Sequence, residues 1–180
     1  MLWGSVCNQH FPAYLPPLMF LTDPQRVKDP IAAAAQLPRG AGIVYRHFGA
    51  ADRAQVAKAL ANLSLENDLS FLVAADPMLA IEVEADGIHW PEARLSEARQ
   101  WRGLFRLQTA SAHSARAIRR AARSGIDAAF VSSVFPSSSP SAGRPLSPAR
   151  FARIAREAPL PIYGLGGINA MNAGRIAKHA

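Results

Sequence analysis

The stretch Gly125–Ala180, GIDAAFVSSVFPSSSPSAGRPLSPARFARIAREAPLPIYGLGGINAMNAGRIAKHA, decides how the chain is read. Its apolar, β-branched run from Ala128 to Val134 predicts a strand. A serine-rich loop follows, and then a helix with Ser147 as N-cap, Pro148 at its first position and Phe151, Ile154 and Ala155 as the buried stripe. A second short strand, Pro161–Gly164, runs into Gly164-Leu165-Gly166-Gly167 and a last helix over Ala170–His179. Strand, helix, strand, helix implies parallel strands joined by right-handed crossovers, with ligand-binding loops at the strands' carboxyl ends. Glycines there let the backbone approach a phosphate, whose charge the N-terminus of the next helix favours.

The same alternation extends toward the amino end. Strands are predicted over Leu18–Thr22, Gly42–Arg46, Ser70–Ala75, Gly87–His89 and Leu104–Thr109. Between them lie helices over Pro30–Leu37, Ala51–Leu63, Met78–Glu84, around Leu95–Arg102, and Ser114–Ser124. Seven strand–helix units approach the eight of a (β/α)8 barrel, with an open doubly wound sheet as the competing arrangement. Short strands with no switch point favour the barrel. The chain is therefore predicted to be α/β, a TIM-type barrel over residues 18–180 preceded by an irregular leader, 1–17. The eighth βα unit is expected to be missing, because the sequence stops at Ala180, where that unit would begin.

The chain has 180 residues with an apolar fraction of 49%, enough for one domain with a sizeable core. Its net charge of +7 and pI of about 10.5 invite a nucleic-acid reading. The charge is mostly arginine, however, and dispersed. Arg116, Arg119, Arg120 and Arg123 decorate the outer face of one helix, with Ala117, Ile118, Ala121 and Ala122 facing inward, so a solvated helix face is the preferred reading and nucleic acid is not an expected partner. Cys7 is the only cysteine, which excludes a disulfide framework and fits a cytoplasmic protein. No apolar run approaches the ~20 residues of a membrane span, so no membrane partner is expected. His10 and His47 have no convergent partners that would make a metal site, and Trp3, Trp90 and Trp101 read as packing residues.

Five blocks, each at a predicted strand's carboxyl end, carry a resemblance. They are Leu21-Thr22-Asp23, Ala85-Asp86-Gly87-Ile88-His89, Ser111-Ala112-His113-Ser114, Val134-Phe135-Pro136-Ser137 and Gly166-Gly167-Ile168. In this order they resemble the thiamine phosphate synthase and thiazole tautomerase (TenI-like) family over roughly Leu18–Ala180. The resemblance implies a (β/α)8 barrel acting on thiazole phosphate, which a synthase couples to a pyrimidine pyrophosphate as Mg2+ helps pyrophosphate leave. It places a phosphate cradle at Ser137, Ser138, Ser139, Gly166 and Gly167, substrate contacts at Arg46 and Ser111, and a single matching magnesium ligand at Asp76. It leaves room for a homo-oligomer.

The chain departs from the pattern where the pyrophosphate is held. Val44-Tyr45-Arg46-His47-Phe48 stands for Q-x-R-E-K, so a lysine position is Phe48, and a second one aligns with Pro140. Ala75 replaces an asparagine, and Arg94 stands at the second metal aspartate, with Glu92 nearby. Metals and lysines promote expulsion of a polyanion, so these losses bear directly on synthase chemistry. Two further readings stay open. One is a TenI-like tautomerase that uses His113 as acid–base group and needs no magnesium. The other is a phosphate-ligand binder without turnover. His89 reads as structural.

Overall fold

A parallel sheet wrapped in helices needs strands that are apolar on both faces, and the strands of this chain are built that way. The computed structural model describes residues 2–6, 12–137 and 143–177. Its elements run β1 (Leu2–Val6), β2 (Leu18–Leu21), α1 (Pro30–Ala34), β3 (Gly42–Tyr45), α2 (Arg53–Glu66), β4 (Ser70–Ala74), α3 (Pro77–Glu82) and β5 (Gly87–Trp90). Two 3-10 turns follow, Glu92–Arg94 and Glu97–Trp101, and then β6 (Leu107–Ser111), α4 (Ala115–Arg123), β7 (Ala128–Ser132), α5 (Pro148–Glu157), β8 (Ile162–Leu165) and α6 (Gly174–Ala177).

The strands β2 to β8 pair in sequence order, each parallel to the next. Side chains alternate between two environments. Met19, Leu21, Val44, Leu72, Ala74, Leu107, Ala128, Phe130 and Tyr163 fill the barrel interior. Their neighbours along the strands, such as Phe20, Ile43, Tyr45, Phe71 and Val73, pack outward against Ala34, Ala57, Leu60 and Leu79. On the other half of the wall Ile88, Trp90, Val131 and Ile162 meet Ile118, Ala121, Phe151 and Ala155. Burying a side chain of the size of Phe151 or Leu60 is worth roughly 1.5–3 kcal/mol. Inside, Phe130 stacks on Tyr163 at 4.8 Å, and the Tyr163 hydroxyl donates to the Pro16 carbonyl at 2.6 Å. Burial holds the Tyr163 phenol far above its ordinary pKa, so it remains a donor. On α4 the arginines are exposed and Ala117, Ile118 and Ala121 buried, as the charge pattern predicts.

Four expectations are corrected. Leu2–Val6 is not irregular: it is a strand, antiparallel to both β2 and β8, and it closes the barrel. The unpaired edges of β2 and β8 supply the partners that make five residues a strand, a long-range requirement invisible in local composition. The helix expected around Leu95–Arg102 is two 3-10 turns, in which Arg94 and Glu97 pair at the i,i+3 spacing that eclipses side chains in that geometry. The following strand begins at Leu107 rather than Leu104, because Gly103 turns at φ +84° and Leu104 is left exposed. Ser147 precedes α5 but makes no side-chain cap; it sits at φ +68° and its N–H donates to the Val134 carbonyl. Side-chain caps are instead made by Asp29, Asp76 and Ser114. Among the described residues no helix is long and apolar enough to cross a membrane.

Candidate functional site

Strand alternation carries Arg46, His89, Thr109 and Ser111 to the inner face at the carboxyl end of the barrel. The Arg46 backbone N–H donates to Thr22 Oγ1 at 2.8 Å, which ties the end of β3 to the end of β2. Among the described residues the Arg46 guanidinium has no hydrogen-bond or ion-pair partner. Burial lowers its pKa from the ordinary value while Asp23 raises it, and a guanidinium in that position stays charged. His89 is buried, with Nδ1 2.9 Å from Thr109 Oγ1 and Nε2 3.0 Å from Ser111 Oγ. Its ring meets Phe130 edge-on at 5.2 Å. Burial first, and the Arg46 charge second, push the His89 imidazole down to about 3, so it is neutral at neutral pH.

That shift has a sign. The folded pKa, about 3, lies below the unfolded 6.5, so the associated stability is whole above about pH 6.5 and is lost as pH falls toward 3. Urea midpoints of the wild type are expected to fall across this window more steeply than those of His89→Gln. Parallel pH profiles for the two proteins would contradict the assignment.

The structure gives the two histidines different settings. His113 is exposed in the loop before α4, where its backbone N–H donates to Glu92 Oε2 at 2.8 Å and its ring has no partner among the described residues. His89, read as merely structural, stands in the mouth beside Ser111 and Arg46. Inward alternation from Gly87 to His89 was the available signal.

A second group forms where the turns after β7 and β8 meet. The Val134 N–H donates to Leu165 O at 2.9 Å and the Phe135 N–H to Gly166 O at 3.1 Å. Gly166 and Gly167 lie at φ +92° and +67°, and a Cβ on them would fall 2.4 Å from Ser133 Oγ and 2.3 Å from the Pro136 carbonyl. Both positions therefore demand glycine. Half-buried Ser137 continues this turn, whereas Ser138 and Ser139 lie outside the described residues. Among the described residues the Gly167 and Ile168 N–H groups donate to no acceptor. The helix expected at Ala170 starts only at Gly174, so backbone amides and not a helix end face this position. Asn169 and Asn172, which sequence reasoning passed over, shape the turn: Asn172 Oδ1 accepts from Asn169 N at 2.8 Å and Asn172 Nδ2 donates to Gly167 O at 2.8 Å.

The third group surrounds Asp76. Its Oδ1 caps α3 by accepting from Leu79 N at 3.1 Å, and its Oδ2 lies 3.7 Å from Arg53 Nε. Arg53 Nη2 donates to Ala74 O at 3.0 Å, and its guanidinium lies between the rings of Tyr45, at 5.6 Å, and Phe48, at 5.3 Å. Arg94 Nη1 donates to Ala75 O while its other nitrogens hold the Glu97 carboxylate. The Glu97 contact raises the Arg94 pKa and lowers that of Glu97.

Mg2+ prefers several free oxygen ligands in octahedral array. Here the one matching carboxylate is already a helix cap and an ion-pair partner, and neighbouring carbonyls accept from arginines. Glu92, the nearby carboxylate, is engaged by the His113 N–H and by Arg120 at 3.1 Å. Among the described residues no cluster of three or more His, Cys, Asp or Glu is placed to hold a metal ion. The residues present do not fit magnesium.

A hollow of about 630 Å3 opens at the opposite, amino end of the strands, lined by Tyr14, Lys58, Asp68, Glu84 and Arg106 among others. Its charged groups fasten strand ends together: Asp86 accepts from Phe71 N at 2.8 Å and pairs with Arg106 at 2.9 Å. In parallel barrels that end serves stability and the carboxyl end serves chemistry.

The family model described as thiamine monophosphate synthase matches residues 18–180. A thiamine-phosphate synthase of Bacillus cereus (strain B4264) is 30% identical over 131 residues, covering 71% of this chain and 59% of that protein. One from Synechococcus sp. (strain WH7803) is 30% identical over 172 residues, 89% of this chain and 48% of that protein. The chain thus spans about half to three fifths of the length of these relatives. Among solved structures, a thiamine phosphate pyrophosphorylase from Pyrococcus furiosus superimposes with a TM-score of 0.77 at 25% identity, over 90% of this chain and 80% of that one.

Proposed function

The chain belongs to the thiamine monophosphate synthase family, and from that premise we propose that it serves thiamine biosynthesis by binding thiazole phosphate at the carboxyl end of its barrel and coupling it to a pyrimidine pyrophosphate. The supporting observation is the contact between the turns after β7 and β8, where the geometry demands glycine and, among the described residues, the Gly167 and Ile168 amides donate to no acceptor and can receive a phosphate. Ser137 extends the cradle with a hydroxyl. In the coupling, the thiazole nitrogen lone pair forms a bond to the pyrimidine methylene carbon. The C–O bond to pyrophosphate breaks with its electron pair on the leaving oxygen, and no proton need move. Arg46, unpaired among the described residues, offers the positive charge that receives this oxygen, and Ser111, held by neutral His89, lines the mouth. A cytoplasmic setting, where both phosphorylated precursors are retained, suits this role.

A second reading, ligand binding without turnover, draws support from the engagement of Asp76 by Arg53 and of Arg94 by Glu97. Measuring pyrophosphate release from both precursors separates the two. On the synthase reading, Arg46→Ala is expected to lower turnover by about 100-fold, the ~3 kcal/mol of one oxyanion contact, while thiazole phosphate affinity stays within twofold. Tight thiazole phosphate binding with no pyrophosphate release from the wild type would select the binder. Absence of thiazole phosphate binding would overturn both.

A further inference from the structure

The rim around Asp76 is set with guanidiniums held in place by their neighbours. Arg53 is only 14% exposed, and three contacts immobilise it: the Ala74 carbonyl, the Asp76 carboxylate, and the paired faces of Tyr45 and Phe48. Its Nη1 is buried and, among the described residues, unpartnered, as are Tyr45 Oη and His47 Nε2. Arg94 is fixed in turn by Ala75 O, by Glu97 and by its position 5.6 Å over the Trp90 ring. With Arg46, three guanidiniums line the rim; Asp76 and Glu97 engage Arg53 and Arg94, and the carboxylates of Asp23 and Asp52 stand further along it, toward Arg46 and His47. Phe48, which replaces a flexible cation by sequence alignment, here forms one wall that fixes another.

We propose that this rim takes a polyanionic ligand without a divalent cation, using Arg46, Arg53 and Arg94 as permanent charges, and that Asp76 is the anchor of Arg53 and not a metal ligand. The proposal rests on the synthase-type reading of the site. A divalent ion brought to Asp76 would have to displace the Arg53 contact and approach Arg94, meeting repulsion from both. A polyanion meets the opposite field, and planar guanidiniums match phosphate oxygens in pairs. Fixed arginines also need no reorganisation when the anion arrives.

The test is calorimetric titration of the full chain with inorganic pyrophosphate, in EDTA and in excess Mg2+, with thiazole phosphate titrated in parallel. Pyrophosphate is expected to bind in EDTA and no more tightly in Mg2+. Arg53→Gln and Arg94→Gln, checked for folding by thermal denaturation, are each expected to weaken it about tenfold. Mn2+, followed by electron paramagnetic resonance, should show no stoichiometric uptake. Pyrophosphate binding that requires Mg2+, Mn2+ uptake abolished by Asp76→Asn, or no pyrophosphate binding in either buffer would each overturn the proposal. In all three cases retained thiazole phosphate binding leaves the proposed function standing, and its loss removes that reading as well.

Discussion

Gly87→Ala is expected to lower the melting temperature by about 6–12 °C, corresponding to a loss of ~3 kcal/mol in a chain of this size. Gly87 begins β5 and pairs with Leu72 on one side and Leu107 on the other. A Cβ there would lie 1.9 Å from the Leu107 carbonyl oxygen and 3.1 Å from Leu107 Cβ. The clash is with backbone, so no rotamer change relieves it, and β5 and β6 must part. The same register carries His89 to Thr109, so the site would loosen with the wall. Gly143→Ala, where an added Cβ meets nothing within 4 Å among the described residues, is the control and should leave the melting temperature unchanged. Equal melting temperatures for both variants would show that the strand packing described here is wrong.

Gly167→Ala is expected to reduce thiazole phosphate affinity roughly 30-fold or more. An L-residue in the left-handed region costs ~1–2 kcal/mol, and each 1.4 kcal/mol is about tenfold in affinity. Beyond that strain, the new methyl would press on the Pro136 carbonyl at 2.3 Å and on Phe135 Cβ at 2.8 Å. The turn must swing away from the β7 turn, and the two halves of the cradle separate. Gly174→Ala, in open space on the same segment, should bind as the wild type does. Isothermal titration of the three proteins decides the matter, and unchanged affinity in Gly167→Ala would remove this turn from the site.

The parallel wall was legible in the sequence because strands buried on both faces leave apolar runs such as Ile43-Val44-Tyr45 and Phe71-Leu72-Val73, bounded by polar loops. The glycine turn was legible for a similar reason, since Gly166 and Gly167 follow a strand and nothing else fits their backbone. β1 was not legible, because its strand character comes from β2 and β8, separated from it along the chain and joined to it only in space. Arg53 was passed over on the same ground. It looks like an ordinary first-turn residue of α2, and its role emerges only when β4 brings Asp76 alongside. His113 stands out in the sequence by its block, but the direction of a loop histidine at a strand end is set by the loop and is not legible there. His89, fixed by strand alternation, could only point inward.

Backbone amide shifts mapped by nuclear magnetic resonance during titration with thiazole phosphate test the central claim most directly. The cradle predicts that the largest shifts fall on Gly166, Gly167, Ile168 and Ser137. Shifts concentrated instead at the amino end of the barrel, around Lys58, Glu84 and Arg106, or no shifts at saturating ligand, would contradict it.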